Sequence, residues 1–173
     1  MSDGTFKHLI TSAIGDISVA ESERREHTQC VKAAKCKGTA FKTALNIETE
    51  RAARYRRPLS LAIFRLVRKE GCHASIWNTQ RRHFLANLAV LATDILRIPD
   101  FFAPLDGHIF AIAFPETRRM GAITAAEHFF KSIDNNGLLK RFDDSVSGLT
   151  WTITEHGDEA RGDAFLQKAM ESA

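Results

Sequence analysis

The sequence predicts an α+β domain: a central antiparallel sheet flanked by helices, in a split β-α-β, ferredoxin-like arrangement with an extra N-terminal helix. Three observations carry this. Segments with apolar residues at helical spacing interleave with short, dense apolar runs, which rules against a β-sandwich. Their order from residue 39 is helix, strand, helix, hairpin, helix, strand, helix, the order of a split β-α-β unit. Pro58, Pro99 and Asn135-Asn136-Gly137 fall at the joints, where the chain has to leave one element and enter another.

Each element has its own justification. Phe6, Leu9, Ile10, Ala13, Ile14 and Ile17 form one apolar stripe at helical spacing, and the polar stretch after it ends at Gly38. Residues 1–38 therefore read as an amphipathic helix and linker, and 39–173 as the domain. A helix over 39–56 carries Phe41, Ala44, Leu45, Glu48 and Ala52 near one face, and Pro58 ends it. Residues 59–67 are short and apolar enough for a buried strand. Residues 71–78 read as a loop, followed by a helix over 82–96 with Leu85, Leu88, Ala89, Leu91, Ala92 and Ile95 inward. Phe101-Phe102-Ala103 and 108–114 pair as a hairpin, for which Asp106-Gly107 is a favoured turn. Thr117 is placed to cap a helix running to Ile133. A strand over 146–154 and a helix over 163–170 complete the order.

At 173 residues and 44% hydrophobic, the chain can bury a core without disulfides or metals. No apolar run approaches the roughly 20 residues of a membrane span, and the N-terminus lacks a basic-then-apolar leader. A cytoplasmic protein with no membrane association is expected. Cys30, Cys36 and Cys72 are too few for a disulfide framework. With His27 and His73 they do not make the four well-spaced ligands of a zinc site, so they read as reduced thiols. Net charge is only +3, but Arg51, Arg54, Arg56, Arg57, Arg65, Arg68, Lys69, Arg81 and Arg82 face a single acid, Glu70, between 51 and 82. Such asymmetry suits either an anionic partner or a solvated basic face. Nucleic acid is not expected as a partner.

The stretch Asp106-Gly107-His108-Ile109-Phe110, followed by Phe114-Pro115-Glu116-Thr117, Gly121-Ala122 and Ala126-Glu127, resembles the hairpin region of the GGDEF domain, the diguanylate cyclase fold. The run Glu50-x-x-Ala53-Arg54-Tyr55-Arg56-Arg57-Pro58-Leu59-Ser60-Leu61 is similar to the family's entry into its first strand. The likeness spans about 40 to 170. It implies a nucleotide-cyclase-type sheet and a role in bacterial cyclic di-GMP signalling. The family joins two GTP molecules using carboxylates that hold magnesium, a hard cation that prefers oxygen ligands. This chain departs from the family at those positions. The metal-binding aspartate of the first strand falls at Arg65, and the guanine-binding aspartate falls near Arg82. The first hairpin glycine is Asp106, Gly107 keeps the second, and the two acidic positions are His108 and Ile109. The resemblance therefore implies a degenerate, non-catalytic domain that needs no magnesium or other cofactor.

One family feature is kept. Arg97-Ile98-Pro99-Asp100 fits the Arg-x-x-Asp of the family's product-inhibition site, six residues before Asp106. It implies cyclic di-GMP as ligand: a guanidinium can donate to guanine O6 and N7, and a carboxylate can accept from guanine N1 and N2 hydrogens. The alternative expectation is a scaffold independent of nucleotide, dimerising or docking a protein through Phe6, Ile10, Ile14 and Ile17.

Overall fold

The computed structural model describes residues 38–157 and 161–173. The N-terminal stripe and linker, with His27, Cys30 and Cys36, lie outside the described residues. Helix α1 (Thr39–Tyr55) leads into strand β1 (Leu59–Arg68), and helix α2 (Ala74–Ile95) into the hairpin of β2 (Phe101–Asp106) and β3 (Ile109–Pro115). Helix α3 (Arg119–Asn135), the single turn α4 (Leu138–Arg141), strand β4 (Val146–Glu155) and helix α5 (Gly162–Glu171) follow. The strand order is β2-β3-β1-β4, and every neighbouring pair is antiparallel. This is the predicted α+β architecture. Among the described residues no helix is long and apolar enough to cross a membrane.

The sheet has an apolar layer on each face because its strands alternate. On one face Ala62, Phe64 and Leu66 of β1 pack with Phe102, Phe110, Ile112 and Phe114 beneath Phe84, Leu88 and Ala92 of α2 and Ala122, Ala126, Phe129 and Ile133 of α3. Phe64 is central, stacked on Phe110 at 4.8 Å between centroids and edge-on to Phe129 at 5.9 Å. On the other face Leu59, Leu61 and Ile63 meet Phe41 and Leu45 of α1 and Phe165, Leu166 and Ala169 of α5. Helices α1 and α5 approach closely enough that a Cβ on Gly162 would lie 2.7 Å from the backbone nitrogen of Asn46.

Two local expectations are corrected. Helix α2 begins at Ala74, so most of the expected loop is helical. Its first two turns carry mostly exposed side chains, with Trp77 half-buried, and so show no apolar stripe. His73 caps it instead, Nδ1 accepting from the Ser75 N–H at 3.3 Å. Thr117 does not cap α3: the helix starts at Arg119, whose N–H donates to Glu155 Oε2 on β4 at 2.8 Å. On α1, Thr49 is also buried and donates to Leu45 O at 2.9 Å, beside the half-buried Glu48. The break at Asn136-Gly137, with Gly137 at φ 63°, leads into the unanticipated turn α4, which buries Leu138.

Candidate functional site

The hairpin closes on the pair Asp106–Ile109, with Gly107 and His108 as the turn residues. Gly107 does not adopt positive φ, so this turn does not use the left-handed freedom that makes Asp-Gly a favoured hairpin sequence. Asp106 Oδ1 accepts from the Gly107 N–H at 2.6 Å, and the ladder shifts register between Pro104 and Asp106. His108 offers its carbonyl to the Leu66 N–H at 2.8 Å, which ties the turn to β1.

What Gly107 supplies is space. The guanidinium of Arg81, from α2, rests over it, and a Cβ there would come within 1.3 Å of Arg81 Nη1. Arg81 Nε is buried with no hydrogen-bond partner. Sequence reasoning passed over Arg81 in favour of its neighbour. Arg82 is exposed, and its Nε donates to Asn78 O within the helix at 3.0 Å. Arg82 also lines a groove of about 730 Å³ beside the hairpin, with Lys42, Leu105, Asp106 and Gly107.

Arg65 lies in register with Ile109 on one side and Thr150 on the other. Alternation puts its side chain on the face of Leu61 and Ile63, the side covered by α1 and α5. Arg82 belongs to α2, which covers the opposite face. Arg68 is engaged elsewhere, its Nη2 donating to the Cys72 carbonyl. The basic residues that look like one cluster along the chain are thus spread over both faces. Among the described residues no three His, Cys, Asp or Glu side chains come together as a cation site.

The Arg97–Asp100 bend is a closely hydrogen-bonded polar cluster. Helix α2 ends at Ile95, Leu96 is extended, and the Asp100 N–H donates to Arg97 O at 3.0 Å, closing a tight turn over Ile98 and Pro99. Asp100 is buried, 3% exposed. Its Oδ2 accepts from Arg97 N at 3.1 Å and Arg97 Nε at 3.1 Å, and its Oδ1 from Arg97 Nη2 at 2.9 Å. Arg97 Nη2 also donates to Thr117 Oγ1 at 2.9 Å. Thr117 in turn donates to Pro115 O, and its carbonyl accepts from Ser60 Oγ. The bend is thereby anchored to β1 and the end of β3. Thr117 comes into reach because Glu116 sits in the left-handed region, φ 55°, turning the chain as it leaves the sheet.

The Arg97 side chain remains 57% exposed, and none of these bonds uses Nη1. Hydrogen bonding to Asp100 raises the Arg97 pKa above its ordinary value; burial lowers it by less, and the Asp100 charge adds to the rise. The arrangement presents a fixed, permanently charged guanidinium, backed by a carboxylate whose two oxygens are occupied.

No protein-family model and no curated protein sequence matches this chain. Solved structures do match in fold. The GGDEF domain of FimX from Pseudomonas aeruginosa superposes with a TM-score of 0.63 at 19% identity, over 78% of this chain and 84% of that one. The GGDEF domain of DgcB from Caulobacter crescentus, determined in complex with c-di-GMP, gives 0.61 at 17% identity, over 78% of each. The active GGEEF domain of a diguanylate cyclase from Vibrio cholerae gives 0.58 at 18% identity, over 79% and 92%. The fold of this chain is that of GGDEF domains.

Proposed function

We propose that this chain is a non-catalytic regulatory domain in cyclic di-GMP signalling, and that it binds cyclic di-GMP through Arg97. The observation that carries the reading is the Arg97 fork, held by Asp100 and Thr117 with its outer side exposed. A planar cation fixed in this way is preorganised for the acceptor edge of guanine or for a phosphate. Asp100, buried and doubly engaged, acts in this reading by orienting Arg97.

Loss of catalysis is supported by the β1–β3 ladder. Arg65 stands in register with Ile109, a permanently charged residue opposite an apolar one. Neither offers a hard oxygen ligand, and the guanidinium repels a metal, so this pair does not fit magnesium. The His108 carbonyl is taken up by Leu66.

One observation favours a second reading. The Arg97–Asp100–Thr117 cluster already satisfies itself, so it can serve as a staple between the bend and the start of α3 with no ligand. The domain would then be a nucleotide-independent scaffold, with Phe6, Ile10, Ile14 and Ile17 as its docking stripe. Isothermal titration with cyclic di-GMP separates the two. The first reading expects saturable heat from the wild type and none from Arg97→Ala. A wild type silent at tens of micromolar ligand sinks it. Incubation with GTP and magnesium is expected to give no cyclic di-GMP.

A further inference from the structure

The two edges of the sheet are built differently. Strand β2, at one edge, is six residues long, contains Pro104 and shifts register between Pro104 and Asp106. These are the devices by which proteins blunt an edge against pairing with another chain. Strand β4, at the other edge, has none of them along most of its length. It runs ten residues, Val146–Glu155, and among the described residues pairs on one side only, with β1. From Val146 to Thr154 it carries no charge and no proline, and it is rich in β-branched and aromatic residues. Its single register shift, opposite Val67 and Arg68, lies at its very start, and from Gly148 onward its pairing is regular. Ser147 and Thr150 are exposed, and Leu149, Trp151 and Thr152 are only half-buried. A Cβ on Gly148 would meet nothing within 4 Å.

We propose that β4 is a self-association edge: it pairs antiparallel with β4 of a second copy of this chain, joining two four-stranded sheets into one. This goes beyond the nucleotide reading and does not depend on it. A second copy is the occupant that the charge pattern favours. A two-fold axis near Thr150, the middle of the strand, lays uncharged residues on uncharged residues throughout 146–154, so no like charges meet along the paired strands. The one ionised side chain on the strand, Glu155, is at its end and already accepts from the Arg119 N–H. Antiparallel pairing is also the orientation of every ladder in this sheet.

The experiment is sedimentation velocity on the full chain over a hundredfold concentration range about the micromolar, with Thr150→Glu and Thr150→Val. Arg65 lies in register with Thr150 within the subunit, so a glutamate there keeps a favourable neighbour in the folded monomer. Across the two-fold it faces its own copy. The wild type and Thr150→Val are expected to dimerise, and Thr150→Glu to weaken the dimer at least tenfold. A wild type that stays monomeric throughout overturns the proposal. So does a dimer that Thr150→Glu leaves intact, since that dimer must use another surface, such as the N-terminal stripe. Should Thr150→Glu fail to fold by circular dichroism, amide exchange on the wild type decides. Protection of β4 amides that rises with concentration supports the edge, and protection independent of concentration overturns it.

Discussion

At the scale of single residues, burial decides what a side chain can do. Arg97 and Asp100 look like equal partners in the sequence, yet one is largely exposed and the other 3% exposed. Asp100→Ala is therefore expected to weaken cyclic di-GMP binding by releasing Arg97 rather than by removing a ligand contact, and titration should show Arg97→Ala to be the more damaging change. Arg97→Ala leaves the Asp100 carboxylate buried without its main donor, at a cost of about 1–3 kcal/mol in urea unfolding. Because the Arg97 pKa is raised, the stability it adds is complete below the ordinary arginine range and is lost only above it. Its contribution should thus stay flat from mildly acidic to mildly alkaline pH. The two close glycines make a paired test. Gly107→Ala displaces only the end of a flexible arginine and should cost less than about 1 kcal/mol. Gly162→Ala meets the backbone of Leu45 and Asn46 and should cost about 1–3 kcal/mol by the same measurement.

At the scale of elements, the apolar pattern located almost every helix and strand: each helix buries one face and keeps its period, while β1 and β3 bury both faces and so read as dense apolar runs. It failed where an element has little face to bury. Residues 74–81 of α2 set only Trp77 against the core, and α4 is a single turn. It also failed where a cap comes from far along the chain. Glu155 caps α3 from β4, a contact that no spacing rule near Thr117 could reveal. Glu155→Ala is expected to destabilise the domain by about 0.5–2 kcal/mol in urea and to increase amide exchange in the first turn of α3.

At the scale of the whole molecule, the sheet is held by an aromatic layer centred on Phe64, between Phe110, Phe129 and Trp151. Phe64→Ala should cost about 3–5 kcal/mol, lowering the urea midpoint with an unchanged m-value. The sequence by itself determined the order of elements, the split β-α-β topology and the absence of acidic side chains at Arg65, His108 and Ile109, since these follow from periodicity and residue identity alone. Only the tertiary structure decided which side chains meet. It placed Arg81 rather than Arg82 over the hairpin, put Arg65 and Arg82 on opposite sides of the sheet, and recruited Thr117 to Arg97. Among the described residues it also left one edge of β4 unpaired, while β2 is shortened by a proline and a register shift. Strand alternation and chain crossing set these outcomes: residues adjacent in sequence point to opposite faces, and residues far apart share one.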